Sequence, residues 1–245
     1  RVSTCSTRKT VIKLFSRRDS HRGLAVVMER TYTYNRFTFF LFGDLKIEGF
    51  QNIPKNKSVL TVSNHLSIID PALCASAVGK ESKFLAKKEL FKFPFNIFLK
   101  FYGAFPLNRG NLNISAINWA KDQLSLKNNS LLLFPEGTRS KNLKLNKGFN
   151  GAAIIAIDTD SIILPISISG SEKCKNYLQF LFPKMSVKIN IGEPFKINSL
   201  PENKNKDLYD NITKEIMHRI SILLPTKYVN ESNNQIKKYK YTRTI

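Results

Sequence analysis

The 245-residue sequence has only three cysteines, Cys5, Cys74 and Cys174, with neither CxxC spacing nor an even count. That argues against a disulfide framework and a thiolate metal site, and it fits a reducing compartment. Histidine is as sparse: His21, His65 and His218 are too scattered for a histidine-rich metal centre, so no metal is expected. Long hydrophobic runs are missing as well. The stretches 37–42 and 91–105 are short or broken by Lys92, Pro94, Asn96 and Lys100. Neither supplies the roughly 18 apolar residues of a spanning helix, and no signal-peptide core is present. If the protein works at a membrane, it lies on the surface. Acidic side chains are the last scarcity, 18 against 39 Lys and Arg, for a net charge of +21. Such a surplus attracts polyanions, and nucleic acid, an anionic membrane surface and phosphorylated substrates all qualify.

What is present is the material of a folded domain, with 42% hydrophobic and 11% aromatic residues. Arginine is unevenly spent. Seven of the 11 lie in residues 1–36, after which 26 lysines accompany only Arg109, Arg139, Arg219 and Arg243. A chain that defaults to lysine is expected to use arginine where the planar fork matters, as in binding phosphate or carboxylate.

Residues 1–27 stand apart, with seven Lys/Arg, seven Ser/Thr and a single acid, Asp19. This is the composition of an organellar transit peptide, but the segment also reads as a fragment or as residues ahead of a start at Met28. From Met28 to Gly43 aromatics alternate with Arg30 and Arg36, which suits an interfacial amphipathic helix or one packed on the domain's own core. Strand-type runs follow at 58–63, 83–87, 104–107, 130–134, 162–168 and 187–191, alternating with helical patterns at 71–78, 114–127, 149–157 and 208–223. In the last helix Leu208, Ile212, Ile216 and Ile220 recur every fourth residue, and Asn128-Asn129 suits a left-handed cap after the second. The alternation predicts an α/β fold: one domain over 28–225 with a mostly parallel central sheet flanked by helices. The tail, 226–245, is polar with five basic residues and one acidic, and is expected to be disordered.

Two segments carry chemistry. In Ser63-Asn64-His65-Leu66-Ser67-Ile68-Ile69-Asp70-Pro71 an apolar strand runs into a polar turn, and Asp70-Pro71 reads as N-cap and first helical residue. His65 then sits in a loop at the strand's carboxyl end, where α/β proteins keep ligands. Asp70 can fold back to an imidazole N–H, freeing the other nitrogen to take a proton from an alcohol. The plainer alternative is a helix-capping Asp70 and a surface His65. In Leu131-Leu132-Leu133-Phe134-Pro135-Glu136-Gly137-Thr138-Arg139-Ser140 a buried strand stops at Pro and exposes a turn. Its free N–H groups and Arg139 make an anion site, with Glu136 expected to orient Arg139 or bond a glycerol hydroxyl. A tight turn with a Glu–Arg surface pair is the simpler alternative.

Taken together, Asn-His-Leu-Ser-Ile-Ile-Asp-Pro followed by Phe-Pro-Glu-Gly-Thr-Arg-Ser resembles the glycerolipid acyltransferase family, and within it the bacterial-type (PlsC-type) lysophosphatidate acyltransferases. Phe84–Leu90, Gly103–Arg109, Lys147-Gly148 and Ile163–Ile166 resemble further blocks of that family, so the likeness covers about 43–195. The chain departs at Asn108, where the family often has Asp, and Asn cannot form the same ion pair with Arg109. The resemblance implies an O-acyltransferase without a cofactor that uses acyl-CoA or acyl carrier protein as co-substrate. The acceptor implied is 1-acylglycerol 3-phosphate, with glycerol 3-phosphate or another lysophospholipid as alternatives. His65 would be general base and Asp70 its orienter, while Arg139, Gly137, Glu136, Thr138, Arg109 and Lys87 would hold the substrate phosphate. The N–H groups of Ala72 and Leu73 are candidates for the oxyanion. The surplus charge would then meet an anionic membrane surface at its cytoplasmic face, or an organellar membrane if residues 1–27 are a transit peptide. A nucleic-acid-binding protein is the rival class, but no RNP, KH, zinc-finger or helix-turn-helix signature supports it, and no nucleic acid partner is expected.

Overall fold

A computed structural model describes residues 43–92, 96, 99, 103–107, 114–174, 184–198, 205–230, 236 and 238–245. The strands are β1 (Asp44–Glu48), β2 (Val59–Ser63), β3 (Glu81–Lys87), β4 (Ala104–Leu107), β5 (Asn129–Leu133), β6 (Ile162–Ser169), β7 (Ser186–Ile191), β8 (Phe195–Ile197) and β9 (Thr242–Thr244). They form one sheet of order β1-β7-β6-β2-β5-β3-β4, with β8 added on β6 and β9 on β8. The helices among the described residues are α1 (Asp70–Val78), α2 (Ile114–Ser125), α3 (Gly151–Thr159) and α4 (Lys206–Ser221), besides short 3-10 turns. The pairs β1–β7, β2–β5, β2–β6, β3–β4 and β3–β5 are parallel, whereas β6–β7, β6–β8 and β8–β9 are antiparallel. The sheet is therefore mostly parallel, as the alternation of strands and helices predicts.

Every residue of β2 is buried, which is why its sequence is apolar without alternation. Its side chains feed two cores. Leu60 and Val62 join Ile155 of α3 and Ile212 and Ile216 of α4 on one face. Val59 joins Leu73, Cys74, Ala77 and Val78 of α1 on the other. The fourfold stripe Leu208, Ile212, Ile216 and Ile220 is buried along its whole length. Asn205 caps this helix, its side chain accepting from Leu208 N at 2.9 Å. Asn128 takes the expected left-handed conformation, with φ 62°.

Pro165 sits inside a central strand, which proline ordinarily avoids. On one side β6 changes partner at this point, from β7 at Ile166 to β8 at Ile163. The Pro165 carbonyl accepts from Gly192 N at 2.9 Å, in the link between those two strands. The missing N–H therefore falls where the ladder is already interrupted.

Three strands escape the sequence reading: β1, β8 and β9. Each is short, and β9 has little to bury. The tail also corrects expectation. Instead of being disordered throughout, its described part folds back on the domain. Tyr228 is buried, and Thr242–Thr244 pairs with β8. Arg219 of α4 is buried between the rings of Phe195 and Tyr239 (4.3 and 4.0 Å from guanidinium carbon to ring centres) and donates to Thr242 and Thr244. Glu215 accepts from the backbone N–H groups of Lys240 and Tyr241 at 2.7 and 3.0 Å. Residues 1–27 and the proposed helix, as far as residue 42, lie outside the described residues.

Candidate active site

Because β5, β2 and β6 are adjacent and parallel, their carboxyl ends open side by side. Each contributes a loop to one site: 64–70 after β2, 134–140 after β5 and 170–174 after β6. Asn64 starts the first. Its side-chain amide donates to Ile168 O at 2.9 Å and accepts from Ile168 N at 2.8 Å, extending the β2–β6 ladder through a side chain. Only a group with both a donor and an acceptor can do this.

His65 follows, and its Nδ1 lies 2.8 Å from Asp70 Oδ2. The imidazole is 17% exposed while the carboxylate is fully buried. Asp70 Oδ2 also accepts from Leu66 N and Ser67 N, both at 2.6 Å, and its Oδ1 accepts from Ser171 Oγ at 2.7 Å. Four donors hold the carboxylate in place. Since it can only accept, Nδ1 carries the proton, and Nε2, which has no partner among the described residues, is the basic nitrogen. The ring stacks on Phe134 with centroids 4.1 Å apart, which restrains its remaining rotation. Asp70 does not cap α1 as the sequence suggests. It is the first helical residue, and its side chain turns back to the preceding loop. The N–H of Leu73 is spent on Ile69 O at 3.0 Å, which removes it as an oxyanion donor.

The second loop begins with the turn Phe134-Pro135-Glu136-Gly137, closed by Gly137 N donating to Phe134 O at 2.9 Å. Gly137 has φ 64°, and a Cβ there would meet the Phe149 ring at 3.0 Å, so both backbone and space call for glycine. Gly137, Thr138 and Arg139 are exposed. With Gly137 N closing the turn and Ser140 N donating to His65 O at 2.8 Å, the N–H groups of Thr138 and Arg139 are left without partners among the described residues. So is the Arg139 guanidinium. The anion site expected of this turn thus narrows to Thr138 and Arg139.

Glu136 departs from expectation. It is only 2% exposed. Its Oε1 accepts from His65 N at 3.0 Å, and its Oε2 accepts from Asn146 N and Nδ2 at 3.0 and 2.9 Å. Burial raises its pKa above the ordinary carboxylate range, against the opposing pull of the bonds from Asn146 and His65. It makes no contact with Arg139 among the described residues, and no face of it is offered to a glycerol hydroxyl. Lys87 ends β3 at the same edge of the sheet, and Arg109 lies outside the described residues.

Sequence reasoning missed Ser171, Asn64, Asn146, Phe134 and Tyr228. The Tyr228 hydroxyl donates to Glu172 Oε1 at 2.7 Å and accepts from Gly170 N at 3.1 Å, bracing the turn that delivers Ser171 to Asp70. Asn64, next to the histidine, and Phe134, inside the second motif, had a signal in the sequence. The others come from distant segments. Among the described residues no group of three or more His, Cys, Asp and Glu side chains could hold a metal ion.

A mostly parallel α/β sheet carries a His–Asp pair and a basic turn at its carboxyl edge, which places the chain in a class of α/β proteins with the parts of a general base beside a cationic loop. Comparison with known proteins makes the class specific. Residues 44–169 match the family model described as Acyltransferase. A Streptococcus pneumoniae protein named 1-acyl-sn-glycerol-3-phosphate acyltransferase is 31% identical over 72% of this chain and 67% of its own. One of the same name from Borreliella burgdorferi is 26% identical over 72% of each. The crystal structure of the 1-acyl-sn-glycerophosphate acyltransferase PlsC from Thermotoga maritima superposes with a TM-score of 0.62 at 26% identity, covering 84% of this chain and 83% of that one. The chain belongs to the Acyltransferase family and is an O-acyltransferase.

Proposed function

We propose that this enzyme transfers a fatty acyl group from acyl-CoA or acyl carrier protein to the sn-2 hydroxyl of 1-acylglycerol 3-phosphate, giving phosphatidate at the cytoplasmic face of an anionic membrane. The observation that carries the reading is the His65–Asp70 pair, with the His65 carbonyl accepting from Ser140 N beside Arg139. The acceptor in the relatives' names, 1-acyl-sn-glycerol 3-phosphate, carries its free hydroxyl on C2 and its phosphate on the adjacent C3, which calls for a base and an anion site on neighbouring loops.

His65 Nε2 takes the hydroxyl proton as the acceptor oxygen attacks the thioester carbonyl carbon. A C–O bond forms, the tetrahedral intermediate collapses, the C–S bond breaks, and the imidazolium returns its proton to the departing thiolate. No acyl-enzyme is required. Asp70 stabilises the imidazolium without itself being protonated. Arg139, with the N–H groups of Thr138 and Arg139, holds the phosphate; Lys87 and Arg109 are further candidates for that role.

The test is phosphatidate formation by the full chain from lysophosphatidate and acyl-CoA, then from an acyl carrier protein donor. His65→Ala is expected to lose about 10²–10⁴ in kcat at unchanged folding. Arg139→Ala is expected to act mainly by raising the acceptor KM. Equal activity of His65→Ala and parent, or acylation of glycerol 3-phosphate alone, would overturn the reading.

A further inference from the structure

The loop between the Glu136 turn and α3 has a firmly built base and an exposed, apolar-tipped crest. At the base, Leu145 is buried and its N–H donates to Tyr228 O at 2.8 Å, while Asn230 donates to Leu145 O at 2.9 Å. Asn146 is held by Glu136, and Ser140 N by His65 O, so the loop is tied at two points to the catalytic segment. The crest is fixed by its own side chains: Ser140 Oγ lies 2.7 Å from Lys144 O, and Asn142 Oδ1 accepts from Lys144 N at 3.1 Å. What this rigid frame presents is Leu143, at φ 64° and 40% exposed.

A leucine in that place is doubly odd. Its backbone is in the left-handed region, where an L side chain is strained and Asn or Gly is relaxed. Its side chain gains little from the protein core. An outlier of this kind is evidence of a role outside folding. The same loop exposes Phe149 at 64%, its ring against Gly137 of the site. From Gly137 to Ile157 the chain has Arg139, Lys141, Lys144 and Lys147 and no acidic residue. Apolar tips among cations are complementary to an anionic bilayer, whose headgroups take the charges and whose acyl chains take the leucine. A purely polyanionic partner would leave Leu143 and Phe149 unused.

We propose that residues 137–149 form the rim by which the enzyme docks on an anionic leaflet, Leu143 inserting below the headgroups and Lys141 and Lys147 pairing with lipid phosphates. This rests on the acceptor being a lipid presented in a membrane. Docked so, the rim sets Arg139 and His65 over a lysolipid at the surface, because Arg139 belongs to the rim and the His65 carbonyl accepts from Ser140 N next to it.

The experiment uses the full chain and vesicles of phosphatidylcholine with phosphatidylglycerol, some with brominated acyl chains. The indole introduced by Leu143→Trp is expected to shift its emission to the blue and to be quenched by bromolipid, beyond any change in the parent's Trp119. Leu143→Asn relaxes the backbone, so the fold is kept, and vesicle affinity is expected to fall about tenfold. Turnover of vesicle-borne acceptor should fall with it, while turnover of a short-chain monomeric acceptor stays at the parent's level. An unquenched indole in a protein that still co-sediments overturns the proposal, since binding then runs through another surface. So does a Leu143→Asn variant that binds vesicles like the parent but turns over carrier-protein donor poorly, which marks the rim as a protein dock. Quenching in an enzyme that fails to acylate lysophosphatidate upholds the rim and defeats the substrate assignment, so the two readings fail separately.

Discussion

Glu136 shows how one buried carboxylate can organise a site through its own hydrogen bonds. Sequence alone places it in an anion-binding turn, where a carboxylate is an awkward neighbour for phosphate. Folded, it is turned inward, and its two oxygens bridge His65 N–H on one side to Asn146 on the other. A carboxylate is suited to this because it presents acceptors in both directions. Glutamine has one acceptor and one donor, so Glu136→Gln sets an N–H against an N–H at one end. Leaving a buried donor unpaired costs about 1–3 kcal/mol. The expected outcome is a lower kcat, about tenfold or more, with an acceptor KM close to the parent's, measured by steady-state kinetics. A KM rise like that of Arg139→Ala, with kcat intact, would return Glu136 to the substrate. Ser171 is the companion case, a single hydroxyl on Asp70 Oδ1 with no motif to announce it.

Among the elements, α4 and the residues after it carry most of what was not legible. The helix itself is plain in the sequence from its fourfold apolar stripe, while its Asn205 cap comes from the structure. What it binds is not. Glu215, His218 and Arg219 clasp the tail, and His218 Nδ1 lies 2.8 Å from the Tyr239 hydroxyl. A polar, basic segment looks disordered when its partners are 20 or so residues away on another element, because periodicity does not register long-range bonds. The imidazole of His218 is held below its ordinary pKa, first by burial and then by the Arg219 charge, with Glu215 pulling the other way. A depressed histidine means that the unfolded chain protonates first as pH falls. Stability is therefore full above the unfolded value of about 6.5 and declines as pH drops below it toward the folded pKa. Thermal melts of the full chain should show a decrease in Tm over that window, and His218→Gln should shrink the decrease. An unchanged pH dependence in the variant would place the titration elsewhere.

For the whole molecule the governing quantity is charge. A net +21 over 245 residues is a long-range field that draws the protein to any anionic surface. Salt shortens the reach of that field to about 10 Å at 0.1 M, whereas inserted apolar groups are indifferent to it. Binding of the parent to anionic vesicles is accordingly expected to weaken as salt rises without vanishing. Co-sedimentation that stays constant from low to high salt would mean the charge plays no part. No described helix is long and apolar enough to cross a membrane.

The sequence by itself determined the α/β architecture, because apolar strands and 3.6-residue stripes are local patterns that report which faces must be buried. It also determined the His65–Asp70 pair, since five residues of one turn suffice to bring the carboxylate to the ring. Arg139 was legible for a compositional reason, as a rare arginine in a lysine-rich chain. Only the tertiary structure decided that Ser171, from the far side of β6, completes the bonding of Asp70, that Glu136 faces inward, and that Tyr228 of the tail braces the turn beneath them. Those contacts join residues separated by 58 to 101 positions, 71 in the case of Glu136. They exist because three parallel strands end side by side, and strand adjacency is a property of the folded sheet that no local stretch of sequence encodes.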